Sequence, residues 1–357
     1  MAVLLGVCNW VHPLLQSPSC CKELKEAGLD AIQLDLGSAE EDFPLSSPGI
    51  QRQWKEEAEL YGIRLDAVAV LAVLKHGMTA EPGSERRNTA EKAIAAAVDC
   101  AADMGIPRIV LPSFKASAIR NKDDLRETAR CLRLACALAK HRGIAVATEN
   151  LLDVTMMKSL LNIVAYDNLC SCLDLSHFVL RGREDVFEAL PEHLAVCCGV
   201  HLKDGMYGEP GVRPLGEGSC RAGELLAALK REGYDGPLFL ENRYTEPVFG
   251  PDALYALRRD AAIRYSQNWQ QPLQKSLTDI LGVAPERIQG IRAENRLRIA
   301  AFRKHAASFL SVFLSATPLR ETYPPGHGFA VWPIALAGLR RPWAGLNPVY
   351  RGTAHVF

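Results

Sequence analysis

Ala145-Val-Ala-Thr-Glu149-Asn150, followed by a stretch from Val154 to Ala165 and then by Cys170-Ser-Cys-Leu-Asp174, is the segment on which the fold can be read. Two short apolar runs, each closed by a carboxylate, flank one segment whose apolar residues recur at helical spacing. That is strand, helix, strand. The interval suffices for a helix and two loops, as a connection between parallel neighbours requires.

The same punctuation continues in both directions. Apolar runs lie at Val3 to Asn9, Ala31 to Leu36, Leu65 to Leu71, Arg108 to Pro112, Ile144 to Glu149, Cys170 to Asp174, Ala195 to His201 and Pro237 to Glu241. The spacing predicts helices at Pro18 to Ala27, Gly49 to Tyr61, Asn88 to Met104, Lys122 to His141, Val154 to Ala165, Arg183 to Leu190, Arg221 to Glu232 and Pro251 to Tyr265. Several are followed by a glycine placed as a C-cap: Gly28, Gly62, Gly105, Gly143 and Gly233. Eight strands alternating with eight helices over about 265 residues is the arithmetic of an α/β fold of the (β/α)8 TIM barrel type. An open doubly wound sheet would place a GxGxxG turn after the first strand, and none stands there.

The chain has 357 residues, with 41 Lys+Arg balanced by 41 Asp+Glu and 48% hydrophobic residues. That balance describes an ordinary globular protein and argues against nucleic acid as the partner, because neutralising a phosphate backbone demands a basic domain. Eleven cysteines are scattered with no CxxC pair, a pattern expected of reduced thiols. The start, Met1-Ala-Val-Leu-Leu-Gly6, has no basic region, and no apolar run reaches about 18 residues, so no membrane association and a cytoplasmic location are expected.

Composition shifts near residue 270. From 271 to 357 the chain has 11 basic residues against four acidic ones. Ile291 to Leu314 reads as a basic amphipathic helix, and Thr317 to Phe357 is rich in Pro, Gly and Trp without periodicity. The division expected is a barrel over 1–268 and a basic, partly helical C-terminal extension of unassigned role over 269–357.

In such a barrel the active site is built at the C-terminal ends of the strands. Four of the later runs end in Glu149, Asp174, His201 and Glu241, spaced by 25, 27 and 40 residues. Alternation along each strand puts Ala145 and Ala147 on the face of Glu149, Cys172 on that of Asp174, Gly199 on that of His201 and Phe239 on that of Glu241. Three gathered carboxylates repel one another and call for a compensating cation. Hard oxygens with one imidazole suit one divalent metal ion, Mn2+, Mg2+ or Co2+, better than structural zinc. Singly, each acid has a blander reading as an ion-pair partner or helix cap; four at successive strand ends do not.

Around this quartet stand candidate substrate-binding residues. His177, three residues beyond Asp174, and His76, after the third strand, can orient a substrate oxygen. Lys203 can hold an anionic group, Asp204 can orient the histidine, and Arg213 sits on a glycine-rich loop suited to a phosphate or carboxylate. The cysteines of the sixth and seventh strands read as core filling.

These residues identify a resemblance. Residues 1 to about 265 resemble the sugar phosphate isomerase/epimerase family, the xylose isomerase-like TIM barrels. The matching motifs are Thr148-Glu149-Asn150, Leu173-Asp174-Leu-Ser-His177, Val200-His201-Leu-Lys-Asp204, Gly216-Glu-Gly218 and Gly233-Tyr-Asp-Gly-Pro-Leu-Phe-Leu-Glu241. The resemblance implies that Glu149, Asp174, His201 and Glu241 hold one divalent metal, and that this metal binds two adjacent oxygens of a hydroxy-ketone. It also implies that Glu149 and Glu241 are the catalytic pair, one taking a proton and the other returning it through an enediolate. The expected partner is then a small sugar or sugar phosphate, and a homo-oligomer is compatible with the family.

Departures are visible as well. Where ketose 3-epimerases often carry a second glutamate after the first ligand and an arginine after the histidine, this chain has Thr155 and Met206. An inosose-type dehydratase shares the ligand set and is the alternative. An abasic-site endonuclease of the superfamily needs more histidines, but the fourth run ends in Pro112-Ser113 and no Asp-x-His follows His201. A barrel kept only as a binding module is disfavoured by the complete quartet.

Overall fold

The computed structural model describes residues 3–181 and 185–263. The expected extension over 269–357, and with it the 268/269 boundary, lies outside the described residues. In chain order the strands are β1 (Leu5–Cys8), β2 (Ala31–Asp35), β3 (Arg64–Ala69), β4 (Arg108–Pro112), β5 (Ala145–Glu149), β6 (Leu169–Asp174), β7 (Cys197–Leu202), β8 (Asp204–Met206), β9 (Glu209–Arg213) and β10 (Leu238–Leu240). The helices are α1 (Cys20–Glu26), α2 (Pro48–Tyr61), α3 (Val73–His76), α4 (Glu85–Met104), α5 (Lys122–Lys140), α6 (Val154–Val164), α7 (Leu175–Arg181), α8 (Val186–Leu194), α9 (Ala222–Arg231) and α10 (Ala253–Ala261).

Eight parallel strands close in the order β1-β10-β7-β6-β5-β4-β3-β2, and β8 and β9 form a separate antiparallel hairpin. This is the (β/α)8 TIM barrel expected from the alternation of runs. Helix ends follow local chemistry. Gly62 and Gly105 terminate α2 and α4 in left-handed backbone, at φ 63° and 67°, where a side chain would be strained.

Two differences from the sequence reading stand out. The helix expected at Arg183 to Leu190 is preceded by another, α7, which begins immediately after β6. Asp174 explains it: its Oδ1 accepts the His177 N–H at 3.2 Å and so caps the new helix while ending the strand. The loop after β7, read as glycine-rich and irregular, contains the β8–β9 hairpin instead.

Packing divides into two layers. Most buried side chains lie in one large cluster that includes Leu5, Ile32, Val68, Ile109, Val146 and Leu173. A smaller cluster inside the barrel consists of Ala67, Ala69, Val110, Ala147 and Cys172. These small inward residues leave space beneath the strand C-termini. Phe239 is the large exception, and its ring is accommodated by Gly6, where an added Cβ would lie 2.5 Å from the ring and 2.7 Å from the Ala31 carbonyl oxygen.

At the opposite, N-terminal end of the barrel, Asp66 is fully buried, with Arg108 Nε 3.4 Å from one carboxylate oxygen and Arg64 Nε 3.3 Å from the other. Burial raises the Asp66 pKa above its usual value, and Arg108 and Arg64 pull it back. Removing one partner of a buried pair is costly, so Arg108→Met is expected to lose about 3 kcal/mol at neutral pH, measured as a urea midpoint shift. A carboxyl whose folded pKa is raised stabilises the fold only while protonated, so the deficit should shrink as the pH falls towards about 4.

Candidate active site

Strand register brings the quartet together. Glu149 is level with Cys172 of β6, and Asp174 is level with His201 of β7. Phe239 of β10 is level with His201, so Glu241 stands two residues above it. All three offsets are even, and even offsets place all four side chains on the interior face. Their rising heights follow from the stagger that closes a barrel.

The distances agree. His201 Nδ1 lies 3.4 Å from Glu149 Oε1 and 3.4 Å from Glu241 Oε2. Its other ring nitrogen, Nε2, is 2.9 Å from Gln33 Oε1, a contact that sets the orientation of the ring with Nδ1 towards the carboxylates. Lys203 Nζ sits 2.6 Å from both Asp174 Oδ2 and Glu241 Oε2. His177 Nδ1 is 3.0 Å from Asp174 Oδ2. Trp10 donates its indole N–H to Glu241 Oε1 at 3.1 Å and meets the His201 ring edge-on at 6.1 Å.

These groups are buried: Asp174 and His201 fully, Glu149 and Lys203 to more than nine-tenths. Burial alone would raise the carboxyl pKa values, but neighbouring cations win. Against that burial, His177 and Lys203 hold Asp174 well below the usual carboxylate range. Lys203 and His201 hold Glu241 down to about 2 against the same penalty. Burial opposes the Lys203 charge in turn, yet Asp174, Glu241 and Glu149 push its pKa upward.

The donor set fits a divalent cation. Three carboxylates with one ammonium leave two negative charges over when the imidazoles are neutral. His201 Nδ1, His177 Nδ1 and Asp174 Oδ2 are buried and face charged groups of the site: His201 Nδ1 lies between the Glu149 and Glu241 carboxylates, and Asp174 Oδ2 faces His177 Nδ1 and Lys203 Nζ. Ligand atoms of Glu149, Asp174 and His177 lie within 4.8 Å of one another, as do those of Cys8, His201 and Glu241.

A cleft of about 1080 Å³ opens above these groups, with Glu149, Glu241, His177 and Lys203 in its wall. Six of the eight residues singled out from the sequence are therefore gathered at one place: Glu149, Asp174, His201, Glu241, His177 and Lys203. Two are not. Arg213 ends β9 and its guanidinium donates to the Val212 carbonyl at 3.0 Å, while the hairpin lines the cleft with Gly208, Glu209 and Pro210. His76 ends α3 with its Nε2 4.0 Å from Glu40 Oε1, and Leu71 before that helix and Leu74 within it line the cleft.

Asp204 differs from its expected role of orienting the histidine. Its carboxylate accepts backbone N–H groups from Gly205 at 2.8 Å and from Gly216 and Cys220 at 2.9 Å. It organises the loop around the hairpin, and Gln33 orients His201. Gln33 and Trp10 were missed from sequence because attention fell on the ends of the later strands. The available signal was one polar side chain at an inward position of the second run and one tryptophan just past the first. All eleven cysteines are free thiols, with Cys172 in the interior cluster.

Residues 21–273 match the family model described as xylose isomerase-like TIM barrel. The chain belongs to this family. It is 31% identical over 253 residues to a 2-epi-5-epi-valiolone 7-phosphate 2-epimerase from an Actinoplanes species, an alignment covering 69% of this chain and 89% of that protein. Among solved structures, a 3-keto-D-glucoside 4-epimerase from E. coli superposes with a TM-score of 0.59 at 17% identity, covering 74% of this chain and 99% of that one. D-psicose 3-epimerase from Clostridium cellulolyticum H10 gives 0.60 at 15% identity, covering 75% and 99%. At such identities the superpositions speak for the fold alone. Among the described residues no helix is long and apolar enough to cross a membrane.

The Asp204 cage carries its own expectation. Asp204→Ala strands the buried amide donors of Gly205 and Cys220 and frees that of Gly216 to solvent, which is expected to cost roughly 2 kcal/mol or more in stability. Hydrogen exchange should show faster amide turnover at Gly205, Gly216 and Cys220 than in the wild type, and unchanged protection there would contradict the assignment.

Proposed function

We propose that this protein is a metal-dependent epimerase or isomerase of a small polyhydroxy ketone, acting by proton transfer at the carbon beside the carbonyl. The observation that carries the reading is the placement of Glu149 and Glu241. They come from strands separated by β6 and β7, both approach His201 Nδ1 at 3.4 Å, and both line the open cleft. A flat enediolate between two such carboxylates can lose a proton to one and regain it from the other. The curated relative named as a 2-epimerase, at 31% identity, supports the same class of reaction.

Glu149, Asp174, His201 and Glu241 would hold the ion. A divalent cation there supplies Lewis-acid stabilisation of the negative charge that develops on the substrate oxygens. The chain's own residues do the rest. Trp10 and Lys203 keep Glu241 ionised and oriented, so it enters as the base. Glu149 delivers a proton from its own side of the cleft. Gln33 holds the His201 ring in the orientation that presents Nδ1 to the carboxylates.

Three outcomes are expected. EDTA abolishes turnover, and Mn2+, Co2+ or Mg2+ restores it; full activity after thorough chelation would refute the mechanism. Glu149→Gln and Glu241→Gln each reduce exchange of the substrate α-proton with D2O by about 100-fold or more, with the melting temperature little changed. Gln33→Leu weakens metal binding by roughly 10- to 100-fold in titration calorimetry while leaving the circular dichroism of the barrel intact.

A further inference from the structure

The cleft wall beside Glu149 has a chemistry unlike that of its floor. Pro112, the last residue of β4, is level with Glu149, and the Ser113 N–H donates to the Glu149 carbonyl at 2.7 Å. The β4–α5 loop therefore leaves the barrel one strand away from Glu149. Ser113 is 5% exposed and lines the cleft, and its hydroxyl has no hydrogen-bond partner. Buried hydroxyls are ordinarily paired, so this one has an open valence beside the cleft.

Two cations from the same loop, Lys115 and Arg120, line the cleft as well. Among the described residues the Arg120 guanidinium donates to carbonyl oxygens of its own loop, at Lys115 (2.9 Å) and Ala118 (3.4 Å), and forms no ion pair, so its charge is held in place without being neutralised there. Lys115 is fixed in left-handed backbone at φ 49°, a conformation disfavoured for a residue with a side chain and found where a site over-determines it. Phe114, just before Lys115, packs edge-on against His177 at 5.1 Å, which ties the loop to the floor. The other two fixed cations of the wall are paired, Lys203 with Asp174 and Glu241 at 2.6 Å and Arg243 with Glu246 at 3.4 Å.

We infer that the β4–α5 loop is an anion subsite that takes a phosphate monoester carried by the substrate, with the Ser113 hydroxyl, the Lys115 ammonium and the Arg120 guanidinium as its donors. The assignment of that phosphate to a substrate rests on the proton-transfer reading of Glu149 and Glu241; the affinity of the loop for phosphate does not. A phosphate monoester carries about −1.5 to −2 charge near pH 7 and three acceptor oxygens, which matches two uncompensated cations and one hydroxyl. A carboxylate would leave one of the two charges unanswered. The subsite also sets a direction: the phosphorylated end lies on the β4 side, beside Glu149, and the reacting carbon lies towards Glu241.

Titration calorimetry of the full chain with inorganic phosphate, in EDTA so that no metal ion binds the anion, tests this without turnover. One saturable site is expected. Lys115→Gln and Arg120→Gln each remove a charge-assisted contact and should weaken binding about tenfold, whereas Arg243→Gln should change it less than about twofold. No saturable binding to the wild type, or a loss in Arg243→Gln equal to those on the loop, overturns the proposal. The two readings fail separately. Phosphate binding with the expected variant pattern but no α-proton exchange removes the epimerase reading and leaves the subsite, whereas exchange without phosphate binding does the reverse.

Discussion

Everything at the C-terminal end of this barrel depends on keeping three carboxylates together in a place with little water. Glu149, Asp174 and Glu241 are brought within reach of one imidazole by strand register, and their mutual repulsion is opposed by Lys203 standing between two of them. The ammonium offsets one charge of the three. With the imidazoles neutral, what is left over is the charge of a divalent ion, and the carboxylate oxygens of Glu149, Asp174 and Glu241 with His201 Nδ1 are the atoms that would meet it. Burial makes each of these attractions stronger than it would be in water, and makes the loss of any one costly.

The surrounding fold serves that arrangement. Small side chains in the interior cluster keep the space below the ligands open, and Phe239 fills one side because Gly6 yields room for its ring. Asp174 has two structural jobs, ending β6 and capping α7, which explains why His177 stands one helical turn away and within 3.0 Å of it. Asp204 gathers backbone amides from three points of the following loop and so fastens the hairpin that lines the cleft. The opposite end of the barrel carries a different polar pair, Asp66 with Arg108, which has no part in the cleft.

How much of this was legible in the sequence follows from which contacts are local. The barrel and the four strand-end residues could be read because period-two alternation and the position of a charge at the end of an apolar run are local properties. Gln33 and Trp10 could not, because they meet His201 and Glu241 across 168 and 231 residues of chain, and only barrel closure makes them neighbours. Asp204 was given the wrong task because proximity in sequence to His201 suggested contact, whereas its carboxylate turns towards amides up to 16 residues ahead. The Pro112-Ser113 ending was read for the histidine it lacks; the buried hydroxyl and the two cations that follow it gained meaning only once the loop was seen to stand beside Glu149.

The seam between the first and last strands is joined over three residue pairs, Leu5 with Leu238, Gly6 with Phe239 and Val7 with Leu240. Glu241 follows directly on that seam. A ribosome-bound chain therefore displays Glu149, Asp174 and His201 well before the fourth member of the set exists, and the incomplete cylinder lacks the residue on which Trp10 and Lys203 both converge. Completion of the reaction centre and completion of the cylinder are one event in biosynthesis, and it occurs only after translation has passed Glu241.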